Sequence, residues 1–190
     1  MATTWKMQLG AATASLLLVT MLVLRVSAAA FTATTEDPGN SWESGSVALS
    51  DDAASAMFSV TGMLPGQTET RCITVTYTGS GNPAAVKLYG AITDGGLGDH
   101  LDVTVREVTE VGGTGNTCGT LSAPTVIVNN VTLNAFAAAR TSYADGAGSW
   151  DPTASGQTKT YEFAVTLGSD TPNTAQGADA QATFTWETTT

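Results

Sequence analysis

Histidine and charged side chains are scarce in this chain of 190 residues, and their scarcity excludes most kinds of catalytic site. Charged residues make up 13% of the sequence, and His100 is the single histidine. There is no His-Glu-x-x-His, no Gly-x-Ser-x-Gly, no Walker loop and no Gly-x-Gly-x-x-Gly that opens a helix. A serine or cysteine hydrolase would need His100 as its base, but this residue stands beside acids at a loop-to-strand junction, a setting typical of surface histidines. We therefore predict a protein that is not an enzyme and binds no cofactor.

Cysteine is nearly absent as well, with Cys72 and Cys118 the only two. A structural zinc site needs about four ligands, more than two separated cysteines and one histidine supply. No Cys-x-x-Cys pair points to redox chemistry. In an exported chain the two cysteines predict one disulfide, to which the chain-entropy model assigns about 4 kcal/mol.

Basic residues are few, since 7 Lys and Arg face 17 Asp and Glu and the net charge is −10 at pH 7. Loss of residues 1–30 would remove Lys6 and Arg25 and leave 5 basic and 17 acidic side chains, a net charge of −12. Such a surface repels nucleic acid and anionic lipid. It favours solubility, or association that depends on salt or divalent cations.

The N-terminus predicts a signal-peptide helix over residues 1–30. Residues 15–24 (SLLLVTMLVL) have the length of a signal-peptide apolar core, with Lys6 before them and small residues after them. We expect cleavage after Ala28 or Ala30, with contact to the membrane only through this segment. The alternative is an uncleaved anchor over residues 7–30, which would place Arg25 near its end.

Apolar residues alternate with polar ones through most of the remaining chain, which predicts short β-strands. In residues 63–90, a Pro65-Gly66 turn precedes a strand whose apolar face carries Ile73, Val75 and Tyr77. Further strands are predicted around residues 47–49, 57–60, 86–92, 101–106, 125–131, 160–167 and 182–187.

Only residues 133–140 (LNAFAAAR) predict a helix, of one or two turns. Seven to nine short strands with frequent turn signals indicate an all-β chain, folded as an antiparallel β-sandwich of Greek-key or jelly-roll type. The length suits one domain, and we predict it over residues 50–190.

Two surface features are candidate binding sites. Asp94, Asp99 and Asp102 surround a Gly-rich loop and could bind calcium, although the spacing matches no known calcium motif and a solvated acidic loop is the favoured interpretation. Trp42 and Trp150 lie in loop-like segments and could form a carbohydrate platform, whereas aromatic residues at strand spacing more often belong to the core.

Several short motifs together resemble the TasA and camelysin (CalY) family of exported bacterial proteins. Each motif is common by itself, but their order and spacing over residues 28–188 are more specific. The motifs are residues 40–45 (NSWESG), 47–49 (VAL), 63–66 (MLPG), 73–75 (ITV), 84–89 (AAVKLY), 161–163 (YEF), 172–173 (PN), 176–177 (QG) and 184–187 (FTWE).

The resemblance implies a jelly-roll subunit that a dedicated signal peptidase of the SipW type releases and that assembles into fibres of the extracellular biofilm matrix. It also implies that the mature N-terminal segment, residues 31–49, adds as a strand to the sheet of a neighbouring subunit. The candidate anchors in this segment are Phe31, Trp42, Val47 and Leu49. A polar segment of this kind loses conformational freedom only on docking, and an open sheet edge can accept it.

The leading hypothesis is therefore a secreted structural protein of the cell surface or matrix. Its predicted partner is itself, and an accessory matrix or anchoring protein is a second candidate. Members of the family are also described as metallopeptidases, but this chain lacks the zinc ligands such an activity needs. A camelysin-type metallopeptidase and a monomeric adhesion module are the alternatives, and the disulfide is not part of the resemblance.

Overall fold

The computed structural model describes residues 46–53, 56–81 and 83–189. These residues belong to one compact unit, Ser44–Thr190. The predicted signal segment, the cleavage positions Ala28 and Ala30, and the anchors Phe31 and Trp42 lie outside the described residues. Among the described residues, no helix has the length and apolar character needed to span a bilayer.

In the part of the chain that the structure describes, seven strands form two antiparallel sheets, which confirms the predicted all-β class. The first sheet has the strand order β1-β2-β6-β4-β5, and the second pairs β3 with β7. The strands are β1 (Leu49–Asp51), β2 (Thr68–Tyr77), β3 (Lys87–Asp94), β4 (Leu101–Val111), β5 (Thr120–Thr132), β6 (Thr158–Leu167) and β7 (Ala180–Glu187).

The two sheets enclose one apolar core, so the architecture is sandwich-like. The alternation in the sequence predicted the buried faces, because Ile73, Val75 and Tyr77 of β2 all point inward and are at most 4% exposed. Across the sheets, the rings of Phe163 and Phe184 lie 4.7 Å apart. The two strands of residues 63–90 do not pair with each other, since β2 and β3 belong to different sheets.

An α-helix within the described residues, α1 (Leu133–Ala139), confirms the predicted helical stretch. The Thr132 hydroxyl caps its N-terminus by accepting a hydrogen bond from the backbone N–H of Ala135 at 3.2 Å. Leu133 and Phe136 pack into the core. Gly90 permits this packing, because a Cβ at that position would lie 2.5 Å from the carbonyl oxygen of Thr183 and 3.1 Å from the Phe136 ring.

The prediction of a strand at residues 57–60 is wrong. These residues are irregular, although Met57 and Phe58 pack against the core as their apolar character suggests. A strand also needs a neighbour for its backbone N–H and C=O groups, and this stretch lies beside none within the described residues.

The predicted disulfide between Cys72 and Cys118 is present. Cys72 lies on the outer face of β2 and Cys118 in the loop between β4 and β5, so the bond ties the tip of one hairpin to a strand two positions away in the sheet. The backbone N–H of Cys72 donates to the carbonyl oxygen of Asn116 in the same loop.

Candidate assembly surface

The sheets have four outer edges, formed by β1, β5, β3 and β7. An open edge offers unpaired backbone groups to any further strand, so its protection decides whether chains can join through it. The four edges differ sharply in how they are protected.

The β5 edge is irregular. Pro124 interrupts it, and Ala123 and Asn130 have positive φ values of 49° and 45°. Its pairing with β4 has register shifts at three points. Proline and bulges twist an edge away from regular pairing, so β5 is a poor acceptor for another strand.

The β2 side of the first sheet is covered by three different groups. β1 pairs with residues Val75, Thr76 and Tyr77. Further along β2, the N–H of Thr74 donates to a carboxylate oxygen of Asp52 at 2.8 Å. The hydrogen bond from Cys72 to the disulfide-held loop protects the next position.

The β3 edge is covered by the segment that follows α1. Leu88 and Ala147 exchange two backbone hydrogen bonds, at 2.6 and 2.8 Å, and the N–H of Val86 donates to the carbonyl oxygen of Trp150 at 2.7 Å. The side chain of Glu107, only 5% exposed, holds this segment in place by hydrogen bonds. Its carboxyl oxygens accept hydrogen bonds from the N–H groups of Ser149 and Trp150 and from the Ser149 hydroxyl.

The outer edge of β7 is open. Within the described residues β7 has β3 as its only strand neighbour. Its sequence, AQATFTWE, contains no proline, and its single charged residue is Glu187 at the end. Its register with β3 runs without a shift over eight pairs. β7 therefore keeps the regular geometry that strand addition needs.

An apolar groove of about 1060 Å³ runs beside this open edge. Its floor is the inner face of the first sheet, including Ile73, Val165 and Leu167, and one wall is β7 with Ala182, Phe184 and Trp186. The irregular segment of residues 56–64, here called the strap, lines the groove as well. Phe184 and Trp186 are only half-buried, because the groove leaves one side of each ring uncovered.

Acidic side chains line the groove and no basic one does. The acids are Asp51, Glu69 and Asp179. Residues 31–45 of the sequence also contain three acids and no base, namely Glu36, Asp37 and Glu43. Charge thus gives no attraction between that segment and the groove, so apolar burial and backbone pairing would have to drive their association.

Two buried polar atoms behind the groove have no hydrogen-bond partner within the described residues. They are the Tyr161 hydroxyl and the indole Nε1 of Trp186, whose rings lie 5.5 Å apart. Burial, with a smaller contribution from the charge of Glu107, raises the pKa of Tyr161 well above its usual value. The hydroxyl therefore stays protonated and uncharged.

The candidate calcium loop forms a closed hydrogen-bond network instead of an array of free carboxylates. Asn134 Nδ2 donates to Asp94 Oδ2 at 2.8 Å and to Asp99 Oδ1 at 2.9 Å, so an amide donor lies between the two acids. Asp102 is part of β4, where it pairs with Thr132 and Thr166. No group of three or more His, Cys, Asp or Glu residues among the described residues could hold a metal ion.

This network predicts an unusually acidic Asp94. Hydrogen bonds from Asn134 first, and then from the N–H groups of Gly98 and Gly96, lower its pKa from 3.8 to about 2. Because the folded-state pKa lies below the unfolded one, the stabilisation is complete above pH 3.8 and is lost as the pH falls through about 2. NMR of the carboxyl carbon should give a midpoint near 2, and Asn134→Ala should move it towards 3.8. A wild-type midpoint near 3.8 would show that the network does not form.

Several other predicted site residues turn out to be structural. Trp150 is only 9% exposed and belongs to the core, so the expectation that it forms a surface platform is wrong. Its backbone N–H donates to Glu107 and its carbonyl oxygen accepts from the N–H of Val86, two contacts that the sequence does not reveal. Leu49 pairs with Tyr77 of its own chain, and Val47 packs against its own core. Of the four predicted anchors, two thus belong to the subunit itself.

The sequence does not predict the groove. The available signal is the last strand, where the spacing of Phe184 and Trp186 is that of core residues. No protein-family model and no curated protein matches this chain.

Proposed function

We propose that this protein is a secreted structural subunit that assembles into extracellular fibres by strand addition, with the groove beside β7 as the acceptor. The open, regular edge of β7 along an apolar groove is the observation that carries the proposal. The incoming strand is residues 31–45 of a neighbouring subunit. This donor is shorter than the segment predicted from the sequence, residues 31–49, because Leu49 already pairs within its own sheet.

The strand order supports a jelly roll that lacks one strand. A jelly roll has eight strands in two sheets. Here β2, β6, β4 and β5 give the four positions of the first sheet, to whose edge β1 adds as a short fifth strand, and the bridge at Ala147, β3 and β7 give three positions of the second. The fourth position is the one beyond β7, next to the groove, and none of the described strands occupies it.

The geometry also favours a linear fibre. A subunit with one acceptor edge and one donor segment makes head-to-tail contacts, which extend into an unbranched filament where rotation does not close a ring. The β3 edge is covered and the β5 edge is distorted, and β1 is only three residues long, so these edges offer poor branch points. The disulfide between Cys72 and Cys118 fits an oxidising, extracellular compartment, and so does the resemblance to exported matrix proteins.

Deletion of residues 31–45 tests the donor. The mature chain, residues 31–190, should form filaments visible by negative-stain electron microscopy, and the chain that begins at Ser46 should remain monomeric with an unchanged melting temperature. A synthetic peptide of residues 31–45 added to the deleted chain should bind and raise its melting temperature.

Two results would contradict the proposal in different ways. Filaments from the deleted chain would show that another segment is the donor. A mature chain that stays monomeric at high concentration, with a groove inaccessible to an apolar dye, would show that residues 31–45 fill the groove of their own chain.

A further inference from the structure

The strap, residues 56–64, lines the same groove as β7 and makes no regular pairing with it. None of its residues from 56 to 63 forms a backbone hydrogen bond to a neighbouring strand within the described residues. Met57, Phe58 and Met63 nevertheless turn towards the core and are half-buried against it. The strap covers apolar surface without satisfying the β7 edge.

The strap is held mainly at its two ends. At one end, Asn116 Nδ2 donates to the carbonyl oxygen of Ala56 at 3.2 Å, from the loop that the disulfide fixes. At the other end, Leu64 and Gln67 close a turn in which the Gln67 N–H donates to the Leu64 carbonyl at 2.9 Å. Between these points, the guanidinium of Arg71 lies 5.9 Å from the centre of the Phe58 ring.

Sequence order makes the strap the chain's own candidate for the fourth position of the second sheet, beyond β7. In a complete jelly roll, the strand next to the last one in the second sheet comes just before the strand that here is β2. The strap occupies that place in the chain. Its sequence, AMFSVTGML, has apolar residues suited to a strand, but Gly62 at φ +70° breaks the extended conformation before β2 begins.

A segment with half-buried side chains and no ladder of hydrogen bonds has low local stability. A strand that enters the groove would gain the backbone pairing with β7 that the strap lacks. It would also bury the same floor that Met57 and Phe58 now cover in part. The two segments therefore compete for one surface.

We propose that the strap is a built-in competitor of the donor strand, which must leave the groove before a neighbouring subunit can pair with β7. This inference rests on the proposed function, because it concerns how the same acceptor is regulated. It gives the monomer a way to delay assembly: part of the groove stays covered until a donor displaces the strap.

The double variant Met57→Ser/Phe58→Ser of the mature chain tests this competition. It removes the apolar contacts of Met57 and Phe58, keeps that of Met63 and leaves the two anchors of the strap intact. We expect filaments at about a tenfold lower protein concentration and after a shorter lag, because two half-buried apolar side chains no longer compete. The monomer should also bind more of an apolar fluorescent dye.

Val111→Ser is the matched control, since Val111 is 71% exposed and does not line the groove. It should leave both the lag and the dye binding at wild-type values. If the double variant loses its native near-ultraviolet circular dichroism, Asn116→Ala, which loosens one anchor only, should shift the lag in the same direction.

An assembly rate that is unchanged or slower in a folded strap variant would overturn the inference and make the strap a fixed wall of the acceptor. The dye experiment separates this failure from a failure of the proposed function. If the wild-type chain forms no filaments at all, the fibre proposal falls. Unchanged dye binding in the double variant would overturn the cover role of the strap in either case.

Discussion

Replacing Ala182 with lysine is expected to abolish filament formation while leaving the monomer folded. Ala182 is exposed on β7 and faces the groove, so a lysine there can extend into water in the free subunit. A docked strand would cover that position and bury the ammonium group without a designed partner, at a cost of about 3 kcal/mol or more. Association should weaken by at least about 100-fold.

Ala91→Lys is the control for this variant. Ala91 is an exposed residue of β3 that pairs with Thr183, so it lies in the same sheet but on the face away from the groove. The same charge at this position should permit filaments at the wild-type concentration. Sedimentation and negative-stain microscopy over a concentration series would compare the two, and filaments from Ala182→Lys would exclude the groove beside β7 as the acceptor.

The regular strands could be predicted from the sequence because their burial alternates. In β6, Tyr161, Phe163, Val165 and Leu167 face the core at the spacing that a half-buried strand imposes. The helix followed from local propensity and the disulfide from the presence of two cysteines. The strands and the helix depend on residues that are close in sequence, and two cysteines allow only one disulfide within a chain.

The acceptor groove could not be predicted because it depends on which strands become neighbours. Whether Phe184 belongs to the core or to the groove wall depends on whether a strand lies beyond β7; none of the described strands does, and no local sequence pattern indicates this. The strap is a second case in which the local sequence pattern does not report which strands become neighbours. Met57, Phe58 and Val60 read as a strand, yet without a partner edge they remain irregular.

Edge protection links these observations to the proposed fibre. Each covered edge uses a different device: proline and bulges on β5, a carboxylate and a disulfide-held loop on β2, and a paired segment on β3. The devices come from distant parts of the chain, so all of them require the native fold. Directed assembly through β7 therefore depends on the stability of the contacts that close the other edges.

Glu107→Ala is expected to cause the largest loss of stability among single changes at the β3 edge. It removes the acceptor of three hydrogen bonds from Ser149 and Trp150, in a place where Glu107 itself is 5% exposed and water has little access. Unsatisfied buried donors cost about 1–3 kcal/mol each, and relaxation of an exposed loop recovers part of that. We expect a loss of about 3 kcal/mol in the free energy of unfolding by urea denaturation.

Glu107→Gln separates the hydrogen bonds from simple packing. Glutamine keeps the shape of the side chain and one acceptor oxygen, which can still serve the N–H groups of Ser149 and Trp150, so the loss should be about 1 kcal/mol. Equal losses in both variants would mean that the negative charge, and not the number of acceptors, holds the segment.

The alanine variant should also release the segment that covers β3 and create a second open edge, so it should associate even when residues 31–45 are deleted. If it stays monomeric in that background, the segment around Ala147 remains on β3 without Glu107, and the carboxyl group contributes stability but does not protect the edge.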